Sequence, residues 1–206
     1  MGTEELLEVI DERGNPTGEI KPKHLIHQNG DLHLGAHGFV TDGKGNMLCQ
    51  LRGPDCVISP NTWDPTGGAG HVPAGIARLG ASIQVRSART LIMEFPEEIG
   101  YPLTEKLFEG SNADFLGTTR TDMPSGHGWQ HRTVDCNWGL VLPGINPDTC
   151  KLEPGKVERV IWRSAEDILR EALDGRKLDG FPYMIRVPDN RRLIEMACNW
   201  ALRKAQ

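Results

Sequence analysis

Three glutamates near the middle of the chain have the spacing of a divalent-cation site. Glu97 and Glu98 follow Glu94 by three and four residues, which places the three side chains on one face of a helix. Like charges at these spacings repel by about 0.2–0.5 kcal/mol per pair. A hard cation offsets this repulsion, and Mg²⁺ prefers carboxylate oxygens while keeping positions open for phosphate oxygens. The spacing therefore predicts metal-assisted chemistry on a phosphate compound.

A glycine-rich segment, Gly67 to Gly70, precedes these glutamates and is followed by His71. Backbone amides can approach an anion closely where no Cβ intervenes, so we expect Gly68 and Gly70 to bind substrate. His71 either contacts the substrate or is structural. The alternative for the glutamates is a solvated acidic helix end. Acidic side chains at a helix C-terminus oppose the helix dipole, so that alternative gives no reason for the cluster.

The combination resembles the box of the Nudix family, with Gly70, Glu94, Glu97, Glu98 and Gly100 at matching positions. The resemblance implies that the three glutamates are catalytic and bind Mg²⁺ or Mn²⁺. A second register would place Arg89 at the arginine of the box and Glu94 at its last carboxylate. We prefer the first register because it explains Glu97, Glu98 and Gly100 together.

The match departs from the family pattern in two ways. Ile76 and Met93 stand where the pattern has a glutamate and an arginine, which normally pair, and the connection between them is nine residues longer than in the pattern. Three arginines lie in this lengthened section and either restore the missing positive charge or are solvated. We favour solvation for all three, Arg78, Arg86 and Arg89.

Other segments are similar to the Nudix branch that is related to type I isopentenyl-diphosphate isomerase. They are a leading hairpin and the sequence around Trp63, which we expect at the mouth of the site. Arg52, at the end of a predicted strand, either faces a phosphate or is an ordinary surface arginine. His33 and His37 invite a metal interpretation, but no third ligand is spaced beside them. A structural role is therefore favoured for the pair.

The resemblance implies a fold of the α/β (α+β) class, a Nudix-type α/β/α sandwich with a mixed central sheet. We predict one domain over residues 1–206, with an N-terminal hairpin at about 6–22 and a C-terminal helix at about 190–204. Some family members recruit a further acidic ligand from the last strand region. Both Glu153 and Glu158 are open for this role, and we assign Glu158 to the metal site.

Composition describes an ordinary globular protein of 206 residues, 38% hydrophobic and 25% charged. A net charge of −5 argues against nucleic acid as a partner, since nucleic-acid footprints are basic. The five cysteines form no Cys-x-x-Cys motif, which favours reduced thiols and a cytoplasmic location. No apolar run approaches a membrane span, so we expect no membrane partner.

The predicted function is Mg²⁺- or Mn²⁺-dependent hydrolysis of a diphosphate linkage in a small molecule, either a nucleoside diphosphate derivative or another organic diphosphate. Two alternatives are kept. A binding module that has lost hydrolysis is favoured by the altered box. An isomerase of prenyl diphosphates is disfavoured, because isomerases of this branch use a cysteine in the segment that here runs from Thr66 to His71, and the chain has none between Cys56 and Cys136.

Overall fold

The computed structural model describes residues 4–77, 81–124, 128–175, 177–178, 181–182 and 188–206. Its strands are β1 (Leu6–Ile10), β2 (Pro16–Pro22), β3 (His33–Thr41), β4 (Asn46–Arg52), β5 (Trp63–Asp64), β6 (Gly68–His71), β7 (Ala113–Pro124), β8 (Gln130–Val141), β9 (Val157–Ser164), β10 (Lys177–Leu178) and β11 (Phe181–Pro182). Its helices are α1 (Lys23–Asn29), α2 (Ala74–Ala77), α3 (Ile83–Glu98), α4 (Glu105–Glu109), α5 (Ala165–Leu173) and α6 (Pro188–Lys204), with a short 3-10 turn at Pro147–Thr149. Arg78 lies outside the described residues.

Strand β3 is the centre of a mixed sheet. It runs parallel to β8 over its whole length and antiparallel to β1, β4 and β6. Strand β7 extends the sheet beyond β8, and β9 extends it beyond β4. The mixed sheet with helices packed against it confirms the predicted fold class.

Two apolar cores lie on opposite sides of β3, since successive side chains of a strand alternate between faces. Phe39 packs in one core with residues of α5 and α6, including Ile168, Ala197 and Trp200. Ala36 and Val40 pack in the other core with residues of α3 such as Leu91. This second core fixes α3, the helix that carries the three glutamates.

Helix α3 begins where the sequence predicts, at Ser82, whose hydroxyl accepts a hydrogen bond from the amide of Val85. The phenyl ring of Phe95, in the last turns of this helix, is fully buried against Gly38, Gly67 and Gly68. A Cβ on Gly38 would lie 2.7 Å from the Phe95 ring, so glycine is required for this close approach. The ring thereby fixes the rotation of the helix against β3 and β6.

A buried ion pair connects α3 to the N-terminal hairpin. Arg86 is 4% exposed, and its guanidinium lies 3.1 Å from the carboxylate of Glu8 on β1. The prediction that Arg86 is solvated is therefore wrong: the hairpin folds over this turn of α3 and supplies the counter-charge. Arg89, one turn further on, is exposed and pairs with Glu105 at 3.1 Å.

Changing Glu8 to Gln is expected to destabilise the protein by about 3–5 kcal/mol, because it leaves a buried guanidinium without its counter-charge. The measurement is urea denaturation followed by circular dichroism. Glu105→Gln is the matched control: it breaks the exposed pair with Arg89 and should cost less than about 1 kcal/mol. Equal costs for the two variants would contradict the structural role of the buried pair.

Helix α6 begins at Pro188, two residues before the predicted start, and ends at Lys204 as expected. The predicted additional loop between Ile76 and Gly80 instead begins with the last residues of α2. None of the helices in the described ranges has both the length and the apolar character that a bilayer crossing requires.

Candidate active site

The glutamates converge on a large cavity of about 1100 Å³ beside the C-terminal half of α3. Glu94, Glu97 and Glu98 all line it, together with Gly70 of β6 and Arg52 at the end of β4. The preferred register of the box therefore corresponds to three carboxylates that line one cavity. Arg89 of the rejected register points to Glu105 instead.

Two of the carboxyl groups have strongly perturbed acidity. Burial, followed by the charges of Glu5 and Glu97, raises the pKa of Glu94 to about 7. Burial, followed by the charge of Glu94, raises the pKa of Glu98 to about 8. Both shifts show that the ionised forms are disfavoured without a positive partner. A divalent cation supplies that partner, so the residues present fit the metal that the box implies.

At Gly68 and Gly70, strand β6 approaches α3 so closely that an added Cβ would overlap side chains of the helix. A Cβ on Gly70 would lie 2.3 Å from Oε1 of Glu94, and a Cβ on Gly68 would lie 2.6 Å from the Phe95 ring. Between them, the amide of Ala69 donates a hydrogen bond to Oε2 of Glu98 at 3.2 Å. Gly70 therefore lines the cavity, whereas Gly68 serves the packing of α3, and substrate binding by these glycines stays a prediction.

Arg52 is half-buried in the cavity wall and is held in place from two sides. Its Nε and one terminal nitrogen donate to the carbonyl of Ile58 at 3.2 and 3.1 Å. The other terminal nitrogen lies 3.5 Å from the carboxylate of Asp64. This anchoring orients the guanidinium in the cavity without consuming all five of its donors.

A second cluster lies in the same cavity region and consists of His27 of α1, His33 of β3, His71 of β6 and His131 of β8. Each offers one ring nitrogen, and these four nitrogens lie within 4.8 Å of one another. Ring centroids are 5.0 to 5.8 Å apart. No segment of the sequence contains more than one of these side chains in ligand spacing, which is why the sequence left His33 without partners.

The tautomers of this cluster favour metal binding. Nδ1 of His33 contacts the carbonyl of Asp31 at 3.1 Å, so it carries the proton and leaves Nε2 as an acceptor. That Nε2, Nε2 of His27 and Nδ1 of His131 are buried and have no hydrogen-bond partner among the described residues. Converging, unsatisfied imidazole nitrogens are suited to Zn²⁺ and similar transition metals.

The lowered pKa values of the four histidines also favour metal binding. Burial, followed by His33 and His131, lowers the pKa of His27 to about 4, and burial lowers the pKa of His33 to about 4. Burial also lowers the pKa of His71 and of His131. All four rings are therefore neutral at pH 7, which is the form that ligates a metal.

Two curated proteins are similar to this chain. Nudix hydrolase 3 of Arabidopsis thaliana is 34% identical over 107 residues, which cover 52% of this chain and 13% of that protein. Isopentenyl-diphosphate Delta-isomerase 2 of Photorhabdus laumondii is 34% identical over 98 residues, which cover 48% of this chain and 49% of that protein. The chain spans less than half of the length of either relative.

Solved structures agree on the fold. A Deinococcus radiodurans protein superimposes with a TM-score of 0.59 at 16% identity, covering 94% of this chain and 99% of the other. A NUDIX hydrolase from Alicyclobacillus acidocaldarius gives 0.59 at 14% identity, with coverage of 85% and 96%. The chain thus has the fold of a NUDIX hydrolase of known structure, and a sequence similarity to Nudix hydrolase 3 over about half of its length. No family model matches the sequence.

Two predicted site residues of this chain lie away from the cavity. Trp63 is fully buried in the core beneath α6, where its indole nitrogen donates to the carbonyl of Leu178 at 3.0 Å. The neighbouring Asp64 reaches the cavity in its place. Trp63 is thus a core residue and not part of the mouth, because β5 pairs with β4 and turns the indole away from the cavity.

Glu158 is exposed on β9, and the cavity is lined instead by Glu153, the other acidic residue that the sequence left open. The amide of Glu153 donates to the carbonyl of Glu98 at 3.0 Å, which brings this loop to the end of α3. The pairing of β9 with β4 changes register between Leu51 and Arg52. Glu153 precedes β9 and lies outside that pairing, so its approach to the cavity depends on the contact with Glu98 and not on strand alternation.

The histidine cluster is the largest omission of the sequence-based reasoning. His71 was considered for substrate contact or structure, and His27 and His131 were assigned no metal role. A signal was present: His33 and His131 stand at the beginnings of two long strand patterns. Parallel pairing of those strands, β3 and β8, brings these beginnings together.

Proposed function

We propose that this Nudix protein hydrolyses a diphosphate linkage in a small organic molecule with Mg²⁺ or Mn²⁺ as cofactor, in the cytoplasm. The observation that carries the proposal is the convergence of Glu94, Glu97 and Glu98 in one cavity with Arg52. A bound divalent cation would neutralise phosphate charge and acidify the attacking water. The three glutamates would hold it, and Glu153 is a further carboxylate in the lining of the cavity.

In this proposal Arg52, the three glutamates and Gly70 have different roles. The donors of Arg52 bind phosphate oxygens, and its contacts with Ile58 and Asp64 fix its position. Water adds to one phosphorus, the bridging P–O bond breaks, and the leaving phosphate keeps the electron pair. One carboxylate of the glutamate trio accepts the proton of the water. Gly70 provides the space in which Glu94 sits.

The test is product formation from a panel of nucleoside, sugar and prenyl diphosphates in ¹⁸O-labelled water with Mg²⁺. We expect monophosphate products that carry the label, and no reaction after chelation of the metal. Ligand-dependent thermal stabilisation without turnover would favour the binding module instead. A prenyl product that keeps its diphosphate would favour the isomerase, although Ala69 at the cavity wall offers no thiol.

We further propose that the four-histidine cluster, His27, His33, His71 and His131, holds a transition metal such as Zn²⁺. Its support is the set of buried ring nitrogens without partners among the described residues. The cluster contains no carboxylate, so a divalent ion there keeps its charge of +2. It lies in the same cavity region as Lys23 and Arg52, where a diphosphate needs positive charge.

Changing His131 to Gln is expected to weaken Zn²⁺ binding by at least about 100-fold, because loss of a direct ligand costs more than loss of a second-shell contact. Competition with a chromogenic chelator, together with the metal content of the purified protein, measures this. His24→Gln is the control, since His24 is exposed and pairs with Glu4. Equal Zn²⁺ affinity in the wild type and the His131 variant would refute the site.

A further inference from the structure

His37 is a side chain of the large cavity that has no role in the reaction proposed above. The sequence favoured a structural role for it together with His33, but only His33 joins the four-histidine cluster. His37 lines the cavity with its side chain 21% exposed. Within the described part of the chain neither of its ring nitrogens makes a hydrogen bond, and Nδ1 is buried. Structural histidines are normally held by such bonds, so this ring is suited to a ligand.

Strand pairing brings His37 close to the glutamates of α3. His37 lies directly opposite Ala69 of β6, and opposing residues of an antiparallel pair have Cβ atoms about 4.5–5.5 Å apart. The amide of Ala69 donates to Oε2 of Glu98 at 3.2 Å. All three residues line the cavity. The imidazole is therefore one strand away from a carboxylate of the proposed metal site.

A buried carboxylate lies next to this imidazole. Asp135 of β8 is 3% exposed, and its Oδ1 is 4.0 Å from Nε2 of His37. Its Oδ2 accepts hydrogen bonds from the hydroxyls of Thr121 and Thr133, both at 2.9 Å. Gly35 provides the space for Oδ1, since a Cβ there would lie 2.1 Å from that atom. The carboxylate is thus fixed where it favours a protonated His37.

Other ionisable groups reach the cavity from the elements around β3. They are Arg52 of β4, Asp64 of β5, His71 of β6, His131 of β8 and the three glutamates of α3. Asp64 faces Arg52 at 3.5 Å, and the two histidines belong to the metal cluster. Within the described ranges, Asp135 is the carboxylate that lies within 4.0 Å of a ring nitrogen of His37.

We propose that His37, with Asp135 as its counter-charge, donates the proton of Nε2 to an oxygen of the bound diphosphate. At 4.0 Å, Oδ1 is too distant for a hydrogen bond, so Nε2 is free to donate. The inference rests on the proposed function, in which water adds to phosphorus and the bridging P–O bond breaks. The bridging oxygen keeps the electron pair and takes the proton, which leaves His37 neutral. Solvent then reprotonates the imidazole, and the glutamate releases to solvent the proton of the attacking water.

Changing His37 to Gln is expected to lower kcat of diphosphate hydrolysis by about 100-fold, because general acid catalysis acts in the transition state. KM should change by less than about threefold. Asp135→Asn keeps an oxygen for the two threonine hydroxyls but removes the counter-charge, so kcat should fall by at least about 10-fold. Asp114→Asn is the matched control, since Asp114 lies near the start of β7 and contacts Trp200 and Lys204.

Chemical rescue separates proton donation from a structural role. Imidazole in the buffer should raise kcat of the His37→Ala variant by at least about 10-fold and leave Glu98→Gln unchanged. A ring that only packs cannot be replaced from solution in this way. Absence of rescue, in a variant with the circular dichroism of the wild type, contradicts the proton donor.

Binding of methylene diphosphonate, a non-hydrolysable diphosphate analogue, tests the donor without turnover. Nitrogen-15 spectra of the histidine side chains are recorded with this compound and Mg²⁺ at pH 7, with His37→Gln for assignment. We expect both ring nitrogens of His37 to carry protons in the complex, because the anion and Asp135 favour the charged imidazole. Asp135→Asn should abolish this protonation.

The outcomes separate this inference from the hydrolase proposal. A neutral His37 in the complex, or no binding of the diphosphonate, overturns the inference. Hydrolysis by the wild type with unchanged kcat in His37→Gln rejects the proton donor and keeps the hydrolase. A protonated His37 in the complex of a protein without turnover supports the donor and rejects only the hydrolase.

Discussion

Changing Glu98 to Gln is expected to lower the rate of diphosphate hydrolysis by on the order of 10³-fold. Glutamine keeps the length of the side chain and an oxygen that can accept from the amide of Ala69, now 3.2 Å from Oε2 of Glu98. It removes the negative charge that a divalent cation needs. Steady-state kinetics at saturating Mg²⁺, with Glu109→Gln on the exposed surface of α4 as the control, measures the loss.

The same variant is expected to be at least as stable as the wild type in metal-free buffer near pH 8. The pKa of Glu98 is raised to about 8, chiefly by burial and then by Glu94, so ionisation of this carboxyl group opposes folding. Its favourable contribution to stability is present below pH 4.5 and is lost as the pH rises towards 8. Glutamine stays neutral over that window. Unchanged turnover in Glu98→Gln would remove this residue from the catalytic mechanism.

Changing Gly70 to Ala is expected to reduce kcat/KM by on the order of 10²-fold, since displacing a catalytic group by about 1 Å can cost that much. The new Cβ would lie 2.3 Å from Oε1, 2.4 Å from Cδ and 2.6 Å from Cγ of Glu94. The carboxylate must therefore leave its position against β6. Gly70 does not have a positive φ, so the effect is steric and does not come from backbone strain.

Gly75→Ala is the matched control for this prediction. It lies five residues further along, in α2, and a Cβ there would have no heavy atom within 4 Å. Alanine is also the better helix former, so this variant should keep its activity and its thermal stability. If the two alanine variants have equal kcat/KM, Glu94 does not need its observed position.

The sequence predicted the parts of the site that are local in the chain. The spacing of Glu94, Glu97 and Glu98 and the start of α3 at Ser82 follow from helix geometry and capping, which need only neighbouring residues. The central strands β3 and β8 follow from apolar patterns. These elements bring the three carboxylates to one cavity, as the spacing indicated.

The parts that failed depend on contacts between distant segments. The residues next to Arg86 in the sequence do not indicate that it is buried, and only the folded hairpin places Glu8 beside it. The histidine cluster draws on four separate elements, from α1 to β8. The sequence offers no basis for choosing between Glu153 and Glu158, because only the folded chain brings the amide of Glu153 to the carbonyl of Glu98 and leaves Glu158 exposed on β9.

The packing of the Phe95 ring against Gly38, Gly67 and Gly68 has a consequence for redesign of the proposed metal site. This ring, together with Leu91 and the pair of Arg86 with Glu8, fixes the rotation of α3 without the three carboxylates. We therefore expect Glu98→Cys to leave the helix in place while the proposed metal site selects a softer ion. Position 94 is more restricted, because Glu94 lies against Gly70.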